Sequence, residues 1–193
     1  MLEQLGKNGS AIKLRKVRLA LAAHPKTPRH VSVPLIRQFY TSDLMKVALS
    51  PVVPGDVKRT AEETLIARLK TITLGERLTL ARQASGMIAG AVLLDPEQRI
   101  MRAALENPRL TEASVVKAAL KQEATASLIQ AVSQHEKWSW RRDVQIALLR
   151  SDHLSLARAL AFSRGITFPQ LREILQSSRL PAKIKEELLR GKS

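Results

Sequence analysis

The chain has 193 residues, 45 % of them apolar and only 3 % aromatic, and it contains no cysteine. That length suits one domain or one continuous stack of repeats, and the scarcity of aromatics favours helices packed through Leu and Ala over a β-sandwich. The lack of cysteine excludes disulfides, thiolate metal sites and cysteine nucleophiles, and the net charge of +15 points to acidic partners.

The charge is uneven. Residues 1–40 hold eight Lys/Arg against one acid, and residues 144–193 hold nine against four, whereas residues 41–143 hold fifteen against twelve. The basic excess therefore sits at the two ends of the chain. Residues 1–6 lack the basic start and apolar run of a secretory signal. No apolar run approaches the roughly 18 residues of a membrane span. The expected location is cytoplasmic.

In chain order, residues 1–10 read as a flexible arm. Ser10 is placed to cap a helix in which Ile12, Val17, Leu19 and Leu21 alternate with Lys13, Arg15, Lys16 and Arg18. That helix ends near Pro25, because the residue before a proline leaves the α region. A helix over about 29–39 contains Pro34 and calls for a kink or a late start. Ser42 is placed to cap the next, and Pro54 sits at the start of a longer one reaching about Leu69. Thr73 and Glu76 have the spacing of a capping box. Asp95 and Pro96 open another helix, which Pro108 closes. Thr111 and Ser139 are further caps, and Thr167 with Gln170 has capping-box spacing again. Pro181 starts the last helix, and Gly191 can end it.

The chain also repeats itself. Residues 17–61 align without a gap on residues 144–188, with eight identities over 45 positions. Val17, Ala20 and Leu21 meet Val144, Ala147 and Leu148; Leu44 meets Leu171, and Pro54 meets Pro181. A divergent third copy starts near Ile100, with Pro108 in the place of Pro25. No segment shows sustained period-two alternation, so the expectation is an all-α chain of about thirteen short helices with no sheet. Helix pairs this small bury their apolar stripes only by stacking on neighbours, which is the logic of a solenoid.

The pattern of an apolar helix with Ala in its fourth place, a proline turn and a Leu-rich helix resembles the bacterial HEAT-like repeats, including the variant leucine-rich ones. It is carried by residues 17–25 and 100–108. The resemblance implies a right-handed superhelix whose concave face binds a partner, over residues 11–193 with units near 17–69, 74–135 and 140–190. One family of HEAT-like proteins excises alkylated bases with Trp residues and an Asp in a basic cleft. Here Trp138, Trp140 and Asp143 crowd into six residues, a departure from that arrangement.

Few residues suggest chemistry. None of His24, His30, His135 and His153 is paired at the i, i+4 spacing of a helical zinc site, and no glycine-rich phosphate loop occurs. The expectation is a protein without metal or cofactor. The function expected is a non-enzymatic module that binds an anionic macromolecule, nucleic acid or acidic protein. The candidate contacts are Lys13, Arg15, Lys16 and Arg18, with Trp138, Trp140, Arg141 and Arg142. The alternatives are a protein–protein scaffold with no nucleic-acid role, and a base-excision enzyme.

Overall fold

A computed structural model describes residues 2–7 and 9–191, and these are helix, turn and connecting coil with no strand among them. The first half comprises α1 (Leu2–Lys7), α2 (Gly9–Lys13), α3 (Arg15–Ala23), α4 (Arg29–Ile36), α5 (Thr41–Leu49), α6 (Gly55–Arg68), α7 (Leu74–Gln83) and α8 (Gly86–Val92). The second comprises α9 (Gln98–Leu105), α10 (Glu112–Ala119), α11 (Ala126–Gln134), α12 (Arg142–Arg150), α13 (Leu156–Ser163), α14 (Phe168–Gln176) and α15 (Ala182–Arg190). The described residues thus form fifteen helices against the thirteen or so expected, the helix expected after Ser10 being divided into α2 and α3, and none of the fifteen is long and apolar enough to cross a membrane.

The helix starts show which local signals act. Thr73 and Glu76 form the expected capping box on α7, and Thr111 accepts from the Ser114 N–H at the start of α10. Other expected caps serve elsewhere. Thr167 makes no cap bond at α14. Ser42 lies inside α5 and accepts from Arg15 Nη2 at 3.3 Å. Ser139 precedes a helix that starts only at Arg142, and its carbonyl accepts from Gln145. Asp95 accepts from the Glu97 N–H at 2.9 Å and from Arg77 Nη1, so α9 begins later, at Gln98. Pro34 is accommodated inside α4, which starts at Arg29 with no delay. Residues 2–7, 9 and 10 are helical, where an arm was expected over residues 1–10. Leu2 and Ile12 give those helices an apolar anchor on the core.

The helix boundaries reproduce the sequence echo. Helices α3, α4 and α5 coincide at both ends with α12, α13 and α14 after a shift of 127 positions, and α6 and α15 coincide at their starts. The matched apolar positions share a role. Leu21 and Leu148, Leu44 and Leu171, Val47 and Ile174, Val53 and Leu180, and Ala61 and Leu188 are all buried. What recurs is the set of side chains that packing requires.

Helices pack on sequence neighbours and on neighbours two apart. One series of contacts runs α4, α6, α8, α10, α12, α14; alongside it α3 meets α5, α7 meets α9, α9 meets α11, and α13 meets α15. A continuous apolar cluster links Leu21 to Leu188. Small residues allow close approach between α8 and α10. A Cβ on Gly86 would meet the Arg109 carbonyl oxygen, and one on Gly90 would lie 2.8 Å from Ser114 Cβ.

A second device ties neighbours two apart. The last carbonyls of an α-helix have no partner within it. Here donors from two helices further on reach several of them. Asn107 Nδ2 donates to the Ala81 and Ala84 oxygens at the end of α7, at 2.8 and 3.2 Å. Trp138 Nε1 donates to the Leu105 oxygen of α9 at 3.0 Å. Ser178 Oγ donates to the Leu149 oxygen of α12 at 2.6 Å. The Arg68 guanidinium covers the Arg37 and Phe39 oxygens just beyond α4. Four residue types thus do one job.

Candidate functional site

The expected binding residues divide into those that hold the fold and those that face outward. Arg15, the first residue of α3, pairs with Asp43 on α5 through Nε–Oδ2 and Nη2–Oδ1 contacts of 2.7 and 2.8 Å. The Asp43 side chain is 3 % exposed, so this carboxylate would be stranded without its arginine. Arg142 occupies the equivalent position on α12 and reaches Gln170, the counterpart of Asp43, at 3.3 Å. Both arginines therefore tie a helix to the next but one, and their recurrence has a structural cause. Arg18 is half-buried, and its Nε has no hydrogen-bond partner among the described residues. Lys13 and Lys16 are exposed.

The Arg15 guanidinium, through its hydrogen bond above all, holds the Asp43 carboxyl below its ordinary value of 3.8, with Lys46 and Arg18 adding attraction and burial opposing. A depressed folded-state pKa contributes stability that is complete above the unfolded value and is lost as pH falls through the folded one. Wild-type protein is therefore expected to lose stability from below about pH 4. Asp43→Asn should be less stable at pH 7 and show a shallower acid limb, read from thermal melts across pH 2–7. An acid limb unchanged in this variant would show that the pair carries no linkage.

The two tryptophans separate sharply. Trp138 is 2 % exposed and packs in the core. Trp140 is 83 % exposed. Between them, residues 135–141 form a tight turn: the Ser139 N–H donates to the His135 oxygen at 3.0 Å, and the Arg141 N–H to the Trp138 oxygen at 3.1 Å. His135 Nδ1 accepts from the Lys137 N–H at 3.2 Å, and the Lys137 ammonium lies 4.2 Å from the Trp138 ring centroid. Arg141 is exposed at the N-cap of α12.

A cluster of unpaired cations lies elsewhere, in a cleft along α9 between α7 and α11. It encloses about 610 Å³ and is lined by Arg82, Arg99, Arg102 and His135, with Ala103, Leu105 and Ala131 as its apolar part. All three arginines are exposed, and none has a hydrogen-bond or ion-pair partner among the described residues. Glu106, the acid in the cleft, is 3.1 Å from His135 Nε2. An adjoining cavity of about 420 Å³ shares Leu105, Glu106, Gln134 and His135 and extends to Lys137. The cleft therefore leads from three arginines to the turn that carries Trp140.

These arginines were missed because they sit in the nearly neutral middle of the chain. A signal existed. Arg99 and Arg102 on α9, and Glu106 at its C-cap, follow three- and four-residue spacing, opposite the buried Ile100, Met101, Ala104 and Leu105. Their convergence with Arg82 depends on α7 packing on α9, which composition does not reveal.

A second groove, of about 810 Å³, lies between α10 and α12. Arg179 bonds both the Lys121 oxygen beyond α10 and the Arg150 oxygen at the end of α12, so the two helices run the same way. Glu112 and Asp143 thus lie at one end of the groove, and Lys121 and Arg150 at the other. Val116, Leu120, Ile146 and Ala147 lie between. The base-excision reading requires the tryptophans and Asp143 to meet in one basic cleft. Trp138 is buried, and Asp143 lines this second groove, which shares no lining residue with the arginine cleft. No group of three His, Cys, Asp or Glu side chains converges to hold a metal among the described residues. Comparison with protein-family models, with curated proteins and with solved structures yields no match to this chain.

Proposed function

We propose that this protein is a non-enzymatic binding module, a right-handed α-solenoid of HEAT-like repeats in the cytoplasm, that holds an anionic macromolecule on a basic face. The repeat reading is supported by helix boundaries that recur 127 positions apart and by packing between helices two apart. The observation that carries the function is the cleft in which Arg82, Arg99 and Arg102 stand without carboxylate partners among the described residues. A net charge of +15 supplies the long-range attraction that brings such a partner in.

Charge of this kind makes a steep salt dependence, because each neutralised phosphate or carboxylate releases counterions. Anisotropy titrations with labelled oligonucleotide and with polyglutamate are expected to show binding at about 50 mM salt that falls by at least tenfold at about 200 mM. The triple variant Arg82→Glu, Arg99→Glu, Arg102→Glu should abolish it while keeping the helical circular dichroism spectrum. Undiminished binding by that folded variant would refute the assignment of the cleft.

The α10–α12 groove favours a second reading, that of a protein scaffold. Its apolar centre and opposed charged ends suit a peptide segment better than a polyanion. A partner retained through nuclease treatment and lost on Leu120→Asp would support that reading.

A further inference from the structure

We infer that the α7–α9–α11 cleft receives the phosphate groups of a single nucleic-acid strand and that Trp140 stacks on one of its bases. The inference rests on the anion-binding reading above and chooses between its two classes of partner. Arginine presents a planar fork that matches phosphate oxygens in pairs, and three such forks share one cleft here. Polyglutamate or an acidic protein would satisfy those forks equally well. The tryptophan makes the difference.

Trp140 is 83 % exposed beside a partner, Trp138, that is 2 % exposed. The interior position of the turn is already filled, so packing gives no reason for a second indole. The turn around it is fixed by the bonds from Ser139 and Arg141 and by the bond from Gln145 Nε2 to the Ser139 oxygen at 2.7 Å. The same turn supplies His135 to the cleft and Lys137 to the cavity that adjoins it. A strand whose phosphates lie on Arg99 and Arg102 and pass His135 towards Lys137 reaches the same turn that carries the exposed indole, three residues further along the chain. Nucleobases carry a π-face for it, and acidic side chains carry none. Stacking needs an unpaired base, so a duplex offers the cleft its charge and leaves the indole unused.

The test uses the full chain, a labelled twelve-residue oligothymidylate, the same sequence as a duplex, and polyglutamate, at low salt. The expected order is single strand before duplex. Trp140→Ala should weaken the single strand by on the order of tenfold and move polyglutamate binding by less than about twofold. Trp140→Phe should recover most of the loss, since a smaller ring still stacks. Arg99→Glu should weaken both ligands. Single-strand affinity unchanged in Trp140→Ala, or a duplex preferred over the single strand, would overturn the inference and leave the anion-binding reading standing. Binding of polyglutamate without the oligonucleotide would do the same. Binding of neither ligand would remove both readings.

Discussion

Replacing Trp138 with alanine is expected to lower the unfolding free energy by about 3–5 kcal/mol, whereas the same change at Trp140 should leave it within about 0.5 kcal/mol. Two terms add at Trp138. The indole is 2 % exposed, so its removal leaves a cavity among side chains that cannot fully collapse. Its Nε1–H also satisfies the Leu105 carbonyl at the end of α9, which then loses its tie to the turn before α12. Trp138→Phe divides the two terms. It keeps most of the packing and removes the bond, at an expected cost of about 1 kcal/mol for the bond plus the smaller volume. Urea denaturation of the three variants gives the values. Equal losses at Trp138 and Trp140 would contradict the division of labour within the turn.

Asn107→Asp is expected to cost about 3 kcal/mol or more, the range for stripping hydrogen bonds from a buried polar site. Asn107 is 1 % exposed, and both its amide nitrogen and its amide oxygen are engaged. Its amide donates to the Ala81 and Ala84 oxygens, and its Oδ1 accepts from the Arg109 N–H at 2.8 Å. Aspartate keeps the acceptor and the shape. It replaces the donor with an oxygen facing two carbonyls, so repulsion and a buried charge replace two bonds. Asn107→Ala, which loses all three bonds without adding charge, should fall between wild type and Asn107→Asp in thermal melts. An aspartate variant as stable as wild type would show that the α7–α9 tie carries no energy.

The fold was more legible than the site. Apolar spacing and prolines gave the helices from Arg15 onward, because both act through local backbone preference and through the stripe each helix must bury. The echo at 127 positions was visible because Leu44 and Leu171, or Val53 and Leu180, meet the same packing demand. The cross-helix ties were illegible for the converse reason. Asn107, Trp138, Ser178 and Arg68 share a task and no chemistry. Arg15 looked like a free cation in the sequence because Asp43, which neutralises it, lies 28 residues away. Arg82, Arg99 and Arg102 looked unremarkable because acids nearby in sequence balance them, although none of those acids pairs with them among the described residues.

The packing pattern also bears on how the chain finds its structure. Every substantial helix–helix contact joins elements no more than two apart in chain order. Forming any one of them closes only a short stretch of chain, and the entropy of closure grows with that length. No distant ends have to meet before burial begins. Such a molecule can start from whichever neighbouring helices dock first and then extend in both directions, with the low contact order of chains that fold in microseconds to milliseconds. Its two termini are growth fronts, and a lesion at one end has few routes by which to disturb the other.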